Sequence, residues 1–256
     1  MKTGKSGYWL LSPTLVVLAL GLAAPLGLMA VLSLKSQAGT GFAEGWTLAQ
    51  YAQVLGRASY RTLFWRSIAI SGLVTLVTLV LAYPMAYFLA FRVRRARALW
   101  LVALTIPFWT SYLLRVFAWK IILGFDWVIN SGLMQLGLIG HPLTFLLYNP
   151  FAVVVTLAHA WAAFAILPIY VSLQKIDPAL LEAAADLGDG PVRRFLRITL
   201  PLSLPGVIGA AILIFVPTTG DYVTPALVGG PSGSMIANAI EIRLVDQDLL
   251  PRFSAL

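Results

Sequence analysis

Long apolar runs alternate with short charged segments along the whole chain. A helix needs about 20 mostly apolar residues to cross the hydrocarbon core of a membrane. The pattern therefore predicts five membrane spans, over residues 9–34, 67–91, 98–123, 146–173 and 198–220.

The remaining segments do not read as spans. Residues 127–174 carry no formal charge but are too long for one span, so their first part is predicted to be a short surface or re-entrant helix. Residues 222–240 are rich in Gly, Pro, Ser and Asn, which favours a loop or a broken helix. The polar segment 35–66 is predicted to be an external loop, with an interfacial helix over 46–55 that holds Trp46 and Tyr51 at headgroup level.

Composition agrees with a membrane protein. Hydrophobic residues make up 59% of the chain, charged residues only 11%, and the mean hydropathy is +0.86. Soluble domains carry about 25% charged residues. A soluble enzyme, a disordered chain and a soluble nucleic-acid binder are therefore excluded. Because the chain has no cysteine, disulfides, thiol catalysis and cysteine-ligated zinc are excluded as well. The predicted fold is an all-α polytopic transmembrane helical bundle that forms a single domain over residues 1–256.

The basic residues indicate an orientation. Lys and Arg gather in the cytoplasmic loops of membrane proteins. With the N-terminus in the cytoplasm, ten of the 18 basic residues lie on the inner side, in three short segments. The net charge of +8 is then a consequence of topology, and no nucleic-acid partner is predicted.

The loop between the fourth and fifth spans has a readable local structure. Asp177 is a natural N-cap, Pro178 fits the first helical position, and Gly188 is placed to end that helix. A second helix is predicted over 192–199, and Pro201 marks the start of the fifth span. The first helix has an apolar face formed by Leu180, Leu181, Ala184 and Leu187, while Glu182 and Asp186 share another face. Two interpretations remain open at this point: a loop that packs on its own bundle, or a docking site.

A family resemblance favours the docking site. Glu182-Ala183-Ala184, followed by Gly188 and then by Leu200-Pro201, resembles the EAA loop of bacterial binding-protein-dependent ABC importer permeases. Residues 60–87, 107–115 and 215–230 resemble the spermidine/putrescine-type branch of that family. Residues 175–201 are called the EAA loop below. Where the family has Ala-Ser after the glycine, this chain has Asp189-Gly190.

The resemblance implies a transport subunit and no enzyme. It implies a permease in the bacterial inner membrane, whose coupling helix contacts a cytoplasmic ABC ATPase dimer through Glu182, Ala183, Ala184, Gly188, Leu200 and Pro201. Further implied partners are a second permease subunit, a periplasmic solute-binding protein and membrane lipid, with no cofactor. ATP hydrolysis is expected on the separate ATPase subunit. The implied solute is a polyamine such as spermidine or putrescine.

Other functions are weighed against this one. The same branch includes permeases for opines, iron and amino-acid-like solutes. A proton-driven secondary carrier should show acids inside its spans, and none lies within a clear span here. An intramembrane enzyme should show a convergent catalytic set, which the sequence lacks. Family members normally have six spans, so a sixth is expected to be missing here through truncation or an altered reading frame, with the C-terminus outside.

Five residues are candidates for the solute path. Arg115 lies inside a span, where a charge costs about 2.5–3.5 kcal/mol on insertion scales, so Arg115 is expected either to line the path or to snorkel toward the surface. Trp109 and Tyr112 lie near Arg115 and are read either as a cation–π surface or as an aromatic belt. Asp221, next to Tyr222, is read as a contact for a cationic solute or as a turn cap. Two histidines without cysteine predict no metal site.

Overall fold

The computed structural model describes residues 6–38, 41–93 and 95–242. The described residues divide into two compact units, one before and one after the boundary between Arg61 and Thr62. Helices account for most of the described residues, as the sequence predicts.

The first unit contains an apolar helix, a small ribbon and a short helix. In chain order these elements are α1 (Ser6–Ser33), β1 (Lys35–Ala38), β2 (Gly41–Trp46) and α2 (Ala49–Gly56). The two strands pair antiparallel, with Lys35 opposite Trp46. The ribbon was not predicted, because residues 35–45 read as an irregular loop. The short helix α2 corresponds to the predicted interfacial helix.

The long helix α3 (Ala58–Tyr87) starts four residues before the second unit and continues as a π-helical turn, Phe88–Arg92. Three shorter helices follow: α4 (Arg97–Thr105), α5 (Tyr112–Ile122) and α6 (Val128–Gln135). A 3-10 turn, Ile106–Trp109, extends α4, and the chain then bends by 82° into α5. The helix α6 occupies the segment predicted to be a short surface or re-entrant helix.

The rest of the second unit is also helical. Its α-helices are α7 (Pro150–Ala160), α8 (Ala162–Gln174), α9 (Pro178–Asp186), α10 (Pro191–Arg194), α11 (Leu200–Thr219) and α12 (Gly230–Gly233). The helices α7 and α8 meet at Trp161 with a bend of 49°. Residues 222–240, predicted to be a loop or a broken helix, form short helical turns interrupted at residues 234–235.

Three helices in the described ranges are long and apolar enough to cross a membrane: Leu11–Ser33, Ala58–Arg92 and Pro191–Thr219. The bent pairs α4–α5 and α7–α8 raise the number to five if each pair counts as one span. The predicted spans 98–123 and 146–173 are these bent pairs, so each is a broken helix instead of a straight one.

The core of the second unit lies between α3, α5, α7, α8 and α11. The largest buried apolar side chains of these helices and their extensions are Val74, Leu89, Val116, Leu123, Val153, Leu157, Ile169, Leu173 and Ile214. The helices α8 and α11 approach most closely at Gly206, where an added Cβ would lie 2.5 Å from the Pro168 carbonyl oxygen and 2.5 Å from Ser172 Cβ. Only a residue without a side chain allows two helix backbones to approach so closely.

Candidate functional site

The first helix of the EAA loop is closed at both ends by local hydrogen bonds. At its start, Asp177 Oδ1 accepts a hydrogen bond from the Ala179 N–H at 2.9 Å. At its end, Gly188 has φ +86°, and its N–H donates to the Ala185 carbonyl oxygen at 2.9 Å. A left-handed glycine is the usual way to end a helix, because side chains at this φ are strained. The predicted N-cap and helix end are therefore both present.

The second half of the EAA loop fastens the first half to the bundle. Arg194 Nη1 donates to the Leu181 carbonyl oxygen at 3.4 Å, and Arg197 forms an ion pair with Asp189 at 3.5 Å. The Phe195 ring packs edge-on against Tyr83 and Tyr87 of α3, at centroid distances of 5.6 and 6.1 Å. The EAA loop is thus connected to α3 through aromatic contacts and to α11 through the continuous chain.

The predicted apolar face of α9 is only partly covered by the bundle. Ala184 is buried and Leu181 half-buried, whereas Leu180 is exposed and Leu187 is 87% exposed. The exposed part of α9 is called its free edge below. It also presents three of the resemblance-derived residues, because Glu182, Ala183 and Gly188 are all exposed.

The predicted boundary at Pro201 was wrong. Residues 191–219 are helical without interruption, through α10, the π-helical turn Phe195–Thr199 and α11. The π-helical turn lies just before Pro201 in this continuous helix. Leu200 is half-buried and Pro201 exposed.

A cavity of about 360 Å³ lies at the opposite end of α11 from the EAA loop. The helix α11 has 20 residues and is therefore about 30 Å long, at about 1.5 Å per residue. The residues that line the cavity come from α5, α7, α8, α11 and the segment after α11: Tyr112, Arg115, Ala160, Trp161, Phe164, Pro217, Gly220, Asp221 and Tyr222.

Asp221 is held in the cavity wall by three donors. Its Oδ2 accepts a hydrogen bond from the Tyr112 hydroxyl, and its Oδ1 accepts from the backbone N–H groups of Val223 at 3.0 Å and Thr224 at 3.4 Å. The carboxylate therefore caps the turn after α11 and also faces the cavity. These are the two roles that the sequence left open for Asp221.

Arg115 faces the same cavity without an ionic partner. Its Nε and Nη1 atoms are buried and make no hydrogen bond, and no carboxylate of the described residues lies within 4.0 Å of its guanidinium. The guanidinium lies over the Phe108 ring, 5.4 Å from the centroid. Burial of a charge without a partner is costly.

Four of the five predicted path residues come together in this cavity, namely Arg115, Tyr112, Asp221 and Tyr222. Trp109 is 76% exposed and is not among the lining residues, because the bend between α4 and α5 turns it outward; Phe108 contacts Arg115 instead. Sequence reasoning missed Trp161 and Phe164. Trp161 lies at the break between α7 and α8, and the sequence carries no glycine or proline there to signal that break.

The described residues contain no cluster of three or more His, Cys, Asp or Glu side chains that could hold a metal ion. His159 stacks on Phe108 at 5.8 Å and contacts Trp119 edge-on at 5.5 Å. The cavity wall thus offers a carboxylate, a guanidinium, hydroxyls and aromatic rings.

Comparison with known proteins identifies several relatives. The chain is 36% identical over 200 residues to the spermidine/putrescine transport system permease protein PotB of Escherichia coli strain K12. The matched region covers 78% of this chain and 72% of that protein. The chain is 34% identical over 207 residues to the inner membrane ABC transporter permease protein YdcU of the same strain, covering 76% and 65%. A PotB homolog of Mycoplasma genitalium is 25% identical over 214 residues, covering 83% and 71%.

Solved structures share the fold. One chain of the crystal structure of a bacterial ABC transporter involved in the import of the acidic polysaccharide alginate matches with a TM-score of 0.65, covering 92% of this chain and 84% of that chain at 18% identity. Residues 13–256 match the family described as binding-protein-dependent transport system inner membrane component. The chain belongs to this family, and it is a permease subunit of an ABC importer.

Proposed function

We propose that this permease subunit forms part of the path for a polyamine such as spermidine or putrescine, delivered by a periplasmic solute-binding protein. The similarity to PotB over 78% of the chain is the observation that carries the solute class. A second neighbour, an alginate transporter in complex with its alginate-loaded periplasmic protein, supports a binding protein as partner. A second permease subunit completes the path, and the N-terminus lies in the cytoplasm.

The free edge of α9 is the proposed contact for the cytoplasmic ATPase dimer. This edge carries Glu182, Ala183 and the exposed Leu187, so it combines a charge with an apolar surface. Phe195 and the continuous helix 191–219 connect this edge to α3 and α11. A displacement of α9 driven by nucleotide binding is therefore passed to two helices that span the bundle, and at the far end of α11 it reaches the cavity.

The cavity suits an ammonium-bearing solute. Asp221 supplies a carboxylate that is already held in place by three donors, so little reorganisation is needed when a cation arrives. The rings of Tyr222, Trp161 and Phe164 line the same cavity and offer their faces to ammonium groups. Arg115 keeps the net charge of the cavity low, which weakens binding enough for the solute to leave.

One observation favours a second candidate, a solute that carries a carboxylate as well as an amine. The guanidinium of Arg115 is unpaired. Guanidinium groups bind carboxylates in many proteins. An opine or amino-acid-like solute would place its carboxylate on Arg115 and its amine near Asp221. The two candidates predict opposite effects of removing the Arg115 charge.

Uptake of labelled solutes separates the candidates. The chain is co-expressed with its partner subunits in cells that lack their own polyamine importers, and uptake of labelled putrescine, spermidine and amino acids is measured. The polyamine proposal predicts polyamine uptake that falls in Asp221→Asn and persists in Arg115→Gln. Asp126→Asn, which removes an exposed carboxylate outside the cavity, is the matched control. Uptake of an amino-acid-like solute that is lost in Arg115→Gln would contradict the polyamine proposal and support the second candidate.

A further inference from the structure

The short helix α2 is fastened to the end of α1. The Thr47 N–H donates to the Leu34 carbonyl oxygen at 2.7 Å, and Gln50 Nε2 donates to the Lys35 carbonyl oxygen at 2.7 Å. The Tyr51 hydroxyl lies 2.6 Å from Ser33 Oγ, at the last turn of α1. These contacts fix the level of α2 relative to the end of α1.

We expect the end of α1 to lie at the surface of a membrane. The apolar part of α1, Leu11–Ser33, has 23 residues and is therefore about 34 Å long, close to the hydrocarbon thickness of about 30 Å. At its other end, α2 is separated from α3 by a single residue, Arg57. The long apolar helix α3 follows. Each end of α2 thus adjoins a helix that is long and apolar enough to cross a membrane.

The side chains of α2 are divided between an apolar and a polar side. Leu48, Tyr51 and Leu55 follow each other at intervals of three and four residues, which places them on one side of the helix. All three are exposed, and Leu48 and Leu55 are each 67% exposed. Gln50 and Gln53 lie on the opposite side. Apart from the Tyr51 hydroxyl, which lies beside Ser33, this apolar side is exposed in the described part of the chain.

We propose that α2 is an interfacial helix whose apolar side, formed by Leu48, Tyr51 and Leu55, lies in the phospholipid headgroup layer. The exposed side chains of Arg57 and Arg61 follow directly and are placed to contact lipid phosphates. Tyr51 suits this depth, because its ring is apolar while its hydroxyl is bonded at the end of α1. The segment fixes the depth of α1 and of the start of α3, and this role is independent of which solute is transported.

Spin-label accessibility tests the proposal directly. Because the chain has no cysteine, Leu48→Cys, Leu55→Cys and Gln53→Cys each carry one nitroxide in this chain. The complete importer is reconstituted in nanodiscs of phosphatidylethanolamine and phosphatidylglycerol, and collision with oxygen is compared with collision with a water-soluble nickel chelate. The complex with the unmodified chain, labelled identically, gives the background from the partner subunits.

The expected result is that labels at positions 48 and 55 collide more with oxygen than with nickel, and that the label at position 53 shows the reverse. Two labels on the apolar side keep the test valid if one variant fails to assemble. Nickel access at all three positions would place α2 in water and overturn the proposal. Low access to both reagents at 48 and 55 would mean that a protein partner covers this side, which would also overturn it.

Discussion

Replacing Gly206 by alanine tests the closest helix contact of the bundle. The added Cβ would lie 2.5 Å from the Pro168 carbonyl oxygen and from Ser172 Cβ, and 3.1 Å from Ser172 Oγ. Carbon atoms in contact are normally about 3.5–4.0 Å apart. The backbones of α8 and α11 must therefore separate by about 1 Å. The two close atoms belong to the backbone and to a Cβ, so no rotation of a side chain relieves the clash.

The matched control is Gly209→Ala, one turn further along α11. An added Cβ at Gly209 has no atom within 4 Å. Both substitutions gain about the same helix propensity, up to about 1 kcal/mol each. Their difference in unfolding free energy therefore isolates the clash, which for an overpacked core is typically about 1–3 kcal/mol. We expect Gly206→Ala to be less stable than Gly209→Ala by an amount near the upper end of this range.

The measurement is reversible unfolding of the purified chain in mixed micelles, with increasing dodecyl sulfate and tryptophan fluorescence as the signal. Thermal aggregation of the assembled complex is a second readout, in which Gly206→Ala should lower the midpoint and Gly209→Ala should not. Equal stability of the two variants would refute the reasoning, because it would mean that α8 and α11 are not in backbone contact at Gly206.

Three further predictions concern the EAA loop and the cavity. Gly188→Ala forces a side chain into φ +86° and should destabilise the end of α9 by about 1–2 kcal/mol. The measurement is protease cleavage of the EAA loop, which should become faster. Gly190→Ala, at φ −66°, should not make this cleavage faster. Phe195→Ala removes the ring that contacts α3, so uptake should fall while the ATPase subunit still co-purifies. Tyr112→Phe removes one donor to Asp221. The apparent KM for the solute should rise by up to about tenfold, which corresponds to about 1.4 kcal/mol. An unchanged KM would show that this hydrogen bond does not serve solute binding.

Features that depend on local chemistry could be predicted from the sequence. The start of α9 at Asp177 and its end at Gly188 follow from the preferences of those two residues within one turn. The spans could be predicted from the length of the apolar runs, because the thickness of the membrane sets how many apolar residues a spanning helix needs. Arg115 and Asp221 were two of the candidates for the solute path, each with an alternative interpretation, and both line the cavity.

Features that depend on packing could not be predicted. Asp221 and Tyr112 are 109 residues apart in the chain, and only the packing of α5 beside the end of α11 joins them. The bend at Trp161 and the π turn before Pro201 are responses of helices to their neighbours, so no local residue announces them. Trp109 was predicted to lie near Arg115 in the solute path, but Phe108 contacts Arg115 instead. The reason is the 82° bend between α4 and α5, which changes the direction in which the side chains before it point.

The most direct test of the account is charge reversal at the free edge of α9. Glu182→Lys is compared with Asp126→Lys, which reverses another exposed carboxylate outside the EAA loop. Retention of the ATPase subunit during purification and ATP-dependent solute uptake are measured for both complexes. We predict that Glu182→Lys loses ATPase retention, uptake or both, while Asp126→Lys behaves as the unmodified importer. Full retention and full uptake in Glu182→Lys would contradict the claim that this edge receives the force of ATP hydrolysis.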